Sequence, residues 1–339
     1  MAICRIYLLT YRRNHLLPRA LNSLLQQSMT DWICEVHNDD PTDPFPRELV
    51  ASISDSRIIM VDHAENLGAT RTFNLVFQSV PEPFVSLLED DNWWEPDFLE
   101  TLLAAMNQYP DVQVAWANMR LWKEDLDGTW NDTEQTVWLE ADSTRLFDWG
   151  QFQQIRGALH SNGAMMVRSH SAEQYTIPET TPFALTEPVR ERAFHFPILL
   201  VSQVCANFAV TQSTARTDQL TAWAQVQTLL TASFFRHTKA DSSFMQQVWN
   251  DARSKPARST NGLFFAAFVC QDCRQLLDYA TLNDWLFLFA SSLKHPLETI
   301  RNLRAIEVHP KLWKFLNQRT DQRMQERDTS TSHFISSAK

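Results

Sequence analysis

Residues 88–96 read LEDDNWWEP, Leu88-Glu89-Asp90-Asp91-Asn92-Trp93-Trp94-Glu95-Pro96, directly after the apolar run Pro83-Phe84-Val85-Ser86-Leu87. Three carboxylates stand side by side at Glu89, Asp90 and Asp91. Like charges disfavour one another, so such a cluster needs a compensating partner. Phe84 to Leu88 barely alternates, which predicts a strand buried on both faces, with the acids at its carboxyl end. Upstream, Ile3 to Thr10 predicts a strand, Leu16 to Gln27 a helix with leucines at helical spacing, and Trp32 to His37 a second strand. Asn38-Asp39-Asp40-Pro41-Thr42-Asp43 is a turn-forming cluster. Arg57 to Val61 predicts a third strand, Glu65 to Gly68 a loop, and Ala69 to Ser79 a helix. Beyond the acids, Pro96 to Gln108 predicts a helix with Pro at its first turn, and Val112 to Ala117 a further strand. This β/α alternation predicts an α/β fold with a mostly parallel sheet between helices. Ligands of such sheets bind outside the carboxyl ends of the strands. The same edge is therefore expected to gather Tyr11-Arg12, Asn38-Asp39 and Asn66-Gly68 beside the acids.

The 339 residues are 44% hydrophobic and 21% charged with six glycines, the profile of a globular chain rather than a disordered one. A net charge of -10 argues against general polyanion binding, so no nucleic acid partner is expected and an anionic ligand must be held by local cations or a metal. Arg5 interrupts any apolar core that a secretory signal would need. The longest apolar runs fall short of the roughly 18 residues of a spanning helix. The expected location is cytoplasmic. Five scattered cysteines do not suggest a disulfide framework, and Cys270-Gln271-Asp272-Cys273 is a lone pair without zinc spacing, read as buried thiols.

From Trp122 to Ser202 the pattern is irregular, with a polar loop at His160-Ser161-Asn162 before a short apolar strand. From Thr217 the chain reads as helical, with apolar-rich segments near 219–235, 243–252, 261–279 and 282–293. The polar tail over 319–339 is expected to be flexible.

Carboxylates at a strand terminus suit a hard divalent cation, which takes one or two protein oxygens and leaves the rest to phosphates and water. Such an ion neutralises the charge growing on a departing diphosphate. The alternative is a solvated acidic turn at the start of the next helix. Four stretches weigh against that alternative: Thr10-Tyr11, Asn38-Asp39-Asp40-Pro41-Thr42-Asp43, Asn66 to Asn74, and Leu88 to Pro96. In order and separation they resemble the family 2 glycosyltransferases of GT-A fold over residues 3–110, with a weaker likeness at His160–Arg168 and Leu185–Arg192.

The resemblance implies an inverting transfer of sugar from a nucleotide diphosphate sugar, UDP-linked by default, to an acceptor hydroxyl of a carbohydrate or glycolipid in surface polysaccharide synthesis. It implies that Thr10 and Tyr11 line the base pocket, that Asp39 contacts base or ribose, and that Arg71 sits near the diphosphate or helps order the nucleotide loops. It further implies Asp91 as ligand of Mn2+ or Mg2+, and Asp90 as contact to the donor's ribose or sugar. Of the two tryptophans, one is expected to anchor packing and one to wall the sugar pocket. An inverting transfer needs a base for the acceptor proton. Glu187, in Leu185-Thr186-Glu187-Pro188, matches the family position, although Thr186 replaces the first acid of the usual pair. Glu191, one turn on, is the other candidate.

The expected organisation is a nucleotide-sugar-binding α/β half over 1–120, an acceptor-binding half over 121–215 and a helical extension over 216–318. Arg301, Arg304, Lys311 and Lys314 among apolar residues suggest peripheral contact with the inner face of a membrane, with helix packing or homo-oligomerisation as the competing use of that surface. Two other function classes remain open: a noncatalytic sugar-nucleotide or carbohydrate binding protein, motivated by Thr186-Glu187-Pro188, and a nucleotidyltransferase. The latter requires a phosphate-gripping, lysine-containing glycine loop that the sequence lacks.

Overall fold

Strand β1 (Cys4–Thr10) pairs in parallel with β2 (Trp32–Asn38) along its whole length, so that Thr10 lies opposite Asn38. The computed structural model describes residues 2–138, 143–212, 220–238, 240–255 and 259–318; the expected flexible tail over 319–339 lies outside the described residues. β2 pairs in parallel with β3 (Ile58–Asp62) and ends with Asn38 opposite Asp62, while β1 pairs in parallel with β4 (Phe84–Glu89) and places Leu9 opposite Glu89. Four strands thus end at one edge. The helices between them are short: α1 (Leu17–Leu25), α2 (Phe45–Ile53) and α3 (Ala69–Asn74). In α1 the residues Leu17, Ala20, Leu21 and Leu24 are buried at helical spacing, and Pro18 occupies the first turn, where its missing N–H is no loss. α3 stops at Asn74 rather than Ser79, with turns from Leu75 onward.

The remaining strands are β5 (Trp93–Trp94), β6 (Val114–Glu124), β7 (Trp130–Thr136), β8 (Arg145–Phe147), β9 (Met165–Arg168) and β10 (Ile198–Val210). The sheet order is β3-β2-β1-β4-β9-β6-β10-β5, with β7 on β6 and β8 on β10. The parallel arrangement holds for β1 to β4 and for β6 with β10. β9 inserts antiparallel between β4 and β6, and β5, β7 and β8 are antiparallel as well, so the sheet is mixed. An antiparallel neighbour needs no crossover helix, which is how the irregular middle of the sequence can supply strands without helical patterns between them. Helix α4 (Phe98–Gln108) buries Phe98, Leu99, Leu102 and Met106, and α5 (Ser169–Ala172) follows β9.

The chain divides into two compact units. The first, Met1–Asp148, His160–Thr176 and Phe194–Arg216, holds the whole described sheet. The second, Trp149–Leu159, Ile177–Ala193 and Thr217–Lys339, is helical among its described residues. It contains α6 (Thr186–Glu191), α7 (Leu220–His237), α8 (Ser242–Ser254), α9 (Thr260–Val269), α10 (Leu282–Lys294), α11 (Pro296–Leu303) and α12 (Ala305–Val308). Its core joins Ile177, Leu185 and Val189 to Val226, Leu229 and Leu230 of α7 and to Leu312 and Leu316. Burying each such side chain contributes roughly 1.5–3 kcal/mol. Thr281 caps α10 with Asp284 in a reciprocal box, and Arg253 grips the same Asp284 at 2.8 Å. All five cysteines are buried and free, as expected for the Cys270–Cys273 pair.

Candidate active site

The acids at the end of β4 are met by the residues that leave β1. Thr10 Oγ1 donates to Asp90 Oδ2 at 2.9 Å and the Tyr11 amide donates to the same oxygen at 3.3 Å. Arg13 Nη1 reaches Asp90 Oδ1 at 3.5 Å and also bonds the Asp91 carboxylate. Burial and then the neighbouring Asp91 charge push the Asp90 carboxyl up to about 7, against Arg13 and the Thr10 hydrogen bond. Burial likewise raises Asp91, with Arg13 opposing. For both carboxyls burial outweighs the guanidinium that is bound to them.

A second cation holds the main chain of the cluster. Arg19 of α1 donates to the Asp91 carbonyl at 2.8 Å, and its guanidinium lies 3.8 Å from the Trp93 ring centroid and 4.0 Å from that of Trp130. Burial lowers Arg19 to about 10. Trp94 is the packing anchor: it is buried, stacks on Phe98 at 4.0 Å and donates to the Gly163 carbonyl at 2.7 Å. Trp93 is half-buried and packs against Trp122 and Trp130. Glu89, the first acid, accepts from Asn92, and Gly163 is what lets them pack there. A Cβ at Gly163 would lie 2.8 Å from Glu89 Oε2 and 2.9 Å from Asn92 Nδ2.

Asp39 follows β2 at the same edge. Its Oδ1 accepts from the Leu67 amide at 2.7 Å, its Oδ2 accepts from the Gly68 amide at 3.0 Å, and its carbonyl accepts from Asn66 Nδ2 at 2.9 Å. Asp39 therefore fastens the loop 66–68, in which Gly68 has a φ of +78° that other residues rarely adopt. Arg71 projects from α3, 44% exposed, with Glu65 at 3.7 Å. Tyr11 is exposed beside Arg12, which pairs with Asp40 at 2.6 Å. The fold thus brings Thr10, Tyr11, Asp90 and Asp91 into one hydrogen-bonded group and puts Asp39 and its loop at the neighbouring strand ends. His160, buried against Phe194 at 4.7 Å, belongs to the turn before β9.

Glu187 lies in the second unit, half-buried in the first turn of α6, with Pro188 next to it. It sits within the field of Arg190: burial pulls that guanidinium down to about 9 and Glu187 opposes the shift. Glu191 is fully enclosed and accepts from Gln154 Nε2 at 2.6 Å and from the Leu159 amide at 2.7 Å. Those contacts describe a structural carboxylate. Glu191→Ala is expected to destabilise the chain by about 2–4 kcal/mol, because two buried donors lose their acceptor; urea unfolding measures this.

Arg13 and Arg19, the cations of the cluster, were not singled out in the sequence. The signal for Arg13 was its place three residues after Thr10 at a strand end that had to face three acids. Nothing local marks Arg19, whose role depends on α1 lying beside β5.

A mixed sheet with a parallel first half, a further antiparallel half and a helical region after it define an α/β fold of the GT-A class. The sequence model described as glycosyl transferase family 2 matches residues 6–170 of this chain. Over 114 residues, 33% of this chain and 41% of the relative, it is 27% identical to the protein named Putative colanic acid biosynthesis glycosyl transferase WcaA of Escherichia coli (strain K12). Over 97 residues, 29% of this chain and 38% of the relative, it is 28% identical to the UDP-Glc:alpha-D-GlcNAc-diphosphoundecaprenol beta-1,3-glucosyltransferase WfgD of Escherichia coli. The chain thus spans about two fifths of the length of these curated relatives. Among solved structures it resembles S. aureus TarS 1–349 in complex with UDP-GlcNAc, with a TM-score of 0.61 and 12% identity over 92% of each chain, a likeness of fold.

Proposed function

We propose that the protein is an inverting glycosyltransferase that moves a sugar from a UDP-linked donor to an acceptor hydroxyl in the synthesis of a surface polysaccharide or glycolipid. The observation that carries this reading is the Asp90–Asp91 pair at the end of β4, bonded to Thr10, Tyr11 and Arg13, within the stretch that the family 2 model matches. The curated relatives support it, one of them named for a UDP-linked donor and a lipid diphosphate acceptor. In this reading residues 1–120 form the donor half, 121–215 the acceptor half and 216–318 a helical extension.

Thr10 and Tyr11 line the base pocket, Asp39 and its loop flank the base and ribose, Arg71 faces the diphosphate, and Asp90 holds ribose or sugar. A divalent cation fits the cluster by donor chemistry: the donors are hard carboxylate oxygens, and both carboxyls are raised by burial, which a bound cation would offset. Asp91 would be the protein's ligand to Mn2+ or Mg2+, with the remaining positions left to phosphates and water; among the described residues no group of three His, Cys, Asp or Glu forms a metal cluster. Such an ion supplies Lewis-acid stabilisation of the departing diphosphate. Glu187 takes the proton of the acceptor hydroxyl as that oxygen bonds the anomeric carbon, and the bond from that carbon to the diphosphate oxygen breaks, which inverts the centre.

No helix among the described residues is long and apolar enough to cross a membrane. α10 and α11 instead expose Leu286, Phe289, Leu293, Leu297 and Ile300 near Lys294, Arg301 and Arg304. That face supports a cytoplasmic enzyme in peripheral contact with a membrane carrying its acceptor. Flotation with anionic vesicles is expected to capture the protein, and Phe289→Glu with Leu293→Glu to abolish capture. Concentration-dependent self-association of the wild type without capture would assign the face to a second copy.

Calorimetric titration with UDP, GDP, CDP and dTDP, each with and without Mn2+, tests the donor site. Selective, metal-dependent binding of UDP that Asp91→Ala removes is the expected result. Binding of none of the four would sink the enzyme reading.

A further inference from the structure

A cavity of about 490 Å3 opens beside β5, on residues that the donor site and the transfer step leave unused. It is lined by Glu95, Pro96 and Asp97, which follow β5, by Arg120 of β6, and by Val204 and Asn207 of β10, all in the first unit. That volume lies in the range of small-molecule sites. Sheet register builds the wall, since Asn207 stands opposite Trp93 on one side and Arg120 on the other. Asn207 is 1% exposed and its amide is fully engaged. Its Oδ1 accepts from Trp122 Nε1 at 2.7 Å, while its Nδ2 donates to Glu95 Oε1 at 2.7 Å and reaches the Trp93 carbonyl at 3.4 Å. Glu95 is thus held by a buried amide that an indole holds in turn. Asp97 accepts from Gln203, and Arg120 pairs with Asp132 of β7 at 3.2 Å. These polar groups are placed before any ligand arrives, which lowers the ordering cost of binding.

The chemistry of the lining selects the ligand. Two carboxylates disfavour an anion such as a phosphate, and an ammonium group would meet the like charge of Arg120. A neutral molecule bearing hydroxyls suits both, because carboxylate oxygens accept from a hydroxyl and a guanidinium donates to one. Pro96 and Val204 add apolar surface for the C–H face of a ring. Hydroxyls on the rim of an apolar ring face are the make-up of a pyranose. We infer that this cavity binds a neutral pyranose unit, with Glu95 and Asp97 as acceptors, Arg120 as donor, and Pro96 and Val204 against the ring. Its use as a subsite for a sugar of the acceptor rests on the function proposed above; carbohydrate binding itself does not.

Strand β5 joins the cavity to the acid cluster. Arg19 holds the Asp91 carbonyl and stacks on the Trp93 ring, and Asn207 reaches the Trp93 carbonyl. The cavity and the proposed donor site therefore share one short strand, while the side chains that would touch each ligand differ.

Saturation-transfer NMR with the methyl glycosides of glucose, galactose, mannose and N-acetylglucosamine, without nucleotide or metal, tests the assignment. At least one glycoside is expected to bind with a Kd of about 1 mM and to shift the labelled Val204 methyl resonances. Glu95→Gln removes a charged acceptor and should weaken that glycoside about tenfold. Val204→Phe fills the cavity and should abolish binding. Inorganic phosphate and putrescine, run as an anion and an amine, are expected to leave the Val204 methyls unmoved. Binding of none of the four glycosides, binding that both variants retain, or Val204 shifts with phosphate or putrescine alone overturns the inference. UDP calorimetry on the same samples keeps the two readings apart, with UDP affinity expected to be the same in Val204→Phe as in the wild type. A protein that binds UDP but no glycoside refutes the cavity and leaves the donor site standing. One that binds a glycoside at Val204 but no nucleotide refutes the transferase reading and leaves a carbohydrate site. Should Val204→Phe fail to fold, Glu95→Gln decides, since it keeps the shape of Glu95 and an oxygen for Asn207.

Discussion

Asp91→Asn is expected to lower sugar transfer by about a thousandfold in kcat/KM, a loss of roughly 4 kcal/mol of transition-state stabilisation, while leaving the fold intact. The physical reason lies in the charge balance of the cluster. Asp90 and Asp91 are both raised by burial, and one guanidinium, Arg13, serves them both. Removing the Asp91 charge leaves Arg13 with Asp90 and relieves a repulsion, so the unfolding free energy should stay within about 1 kcal/mol of the wild type or rise. A residue kept only for structure would show the opposite pattern. Steady-state transfer assays with a panel of UDP-sugars, beside urea denaturation, separate the two. Full activity in Asp91→Asn would remove the metal-ligand assignment.

Glu187→Gln tests the other half of the reaction. A base that accepts the acceptor's proton contributes about 10²–10⁴ in rate, and Gln keeps the shape of Glu while losing that capacity. The variant should therefore retain UDP affinity in calorimetry and lose transfer by that factor. The contrast with Glu191 is built into α6. Glu187 is half-buried, whereas Glu191 is enclosed and already accepts from Gln154 and Leu159. Glu191 variants should thus fail in stability, and Glu187 variants in chemistry. If Glu187→Gln transfers sugar at the wild-type rate, the base lies elsewhere; a wild type that binds donor but neither transfers nor hydrolyses it would instead favour the binding-protein reading.

Much of the first unit was legible in the sequence because its signals are local. A strand that barely alternates, Phe84 to Leu88, must be covered on both faces, and acids at its end must share an edge with whatever leaves β1 and β2. That argument places Thr10, Asp39 and Asp90 at one edge, where the structure has them. The antiparallel half was not legible, because the place of β9 between β4 and β6 is set by pairing partners some 50 and 80 residues away in sequence, which no window registers. The contact of His37 with His63, at 3.0 Å, escaped for the same reason. His37 and His63 are 26 residues apart, and their meeting depends on β2–β3 register rather than on any spacing between histidines. The role of Asp39 as a fastener of the loop 66–68 likewise needs the backbone in place before its partners exist. Helix α3 shows the reverse error: apolar periodicity after Asn74 suggests continuation, yet the chain turns at Leu75.

The double grip on Asp91 separates what holds its main chain from what holds its carboxylate. Arg19, clamped between two indoles, holds the Asp91 carbonyl, while Arg13 holds only its carboxylate. Whatever replaces Arg13 therefore finds an aspartate whose main chain is already fixed. The exchange needs a turn about the side-chain bonds of Asp91 and a swing of Arg13, while the Asp91 main chain keeps its bond to Arg19. Side-chain rotation alone, with the backbone held, would then change the partner of the Asp91 carboxylate.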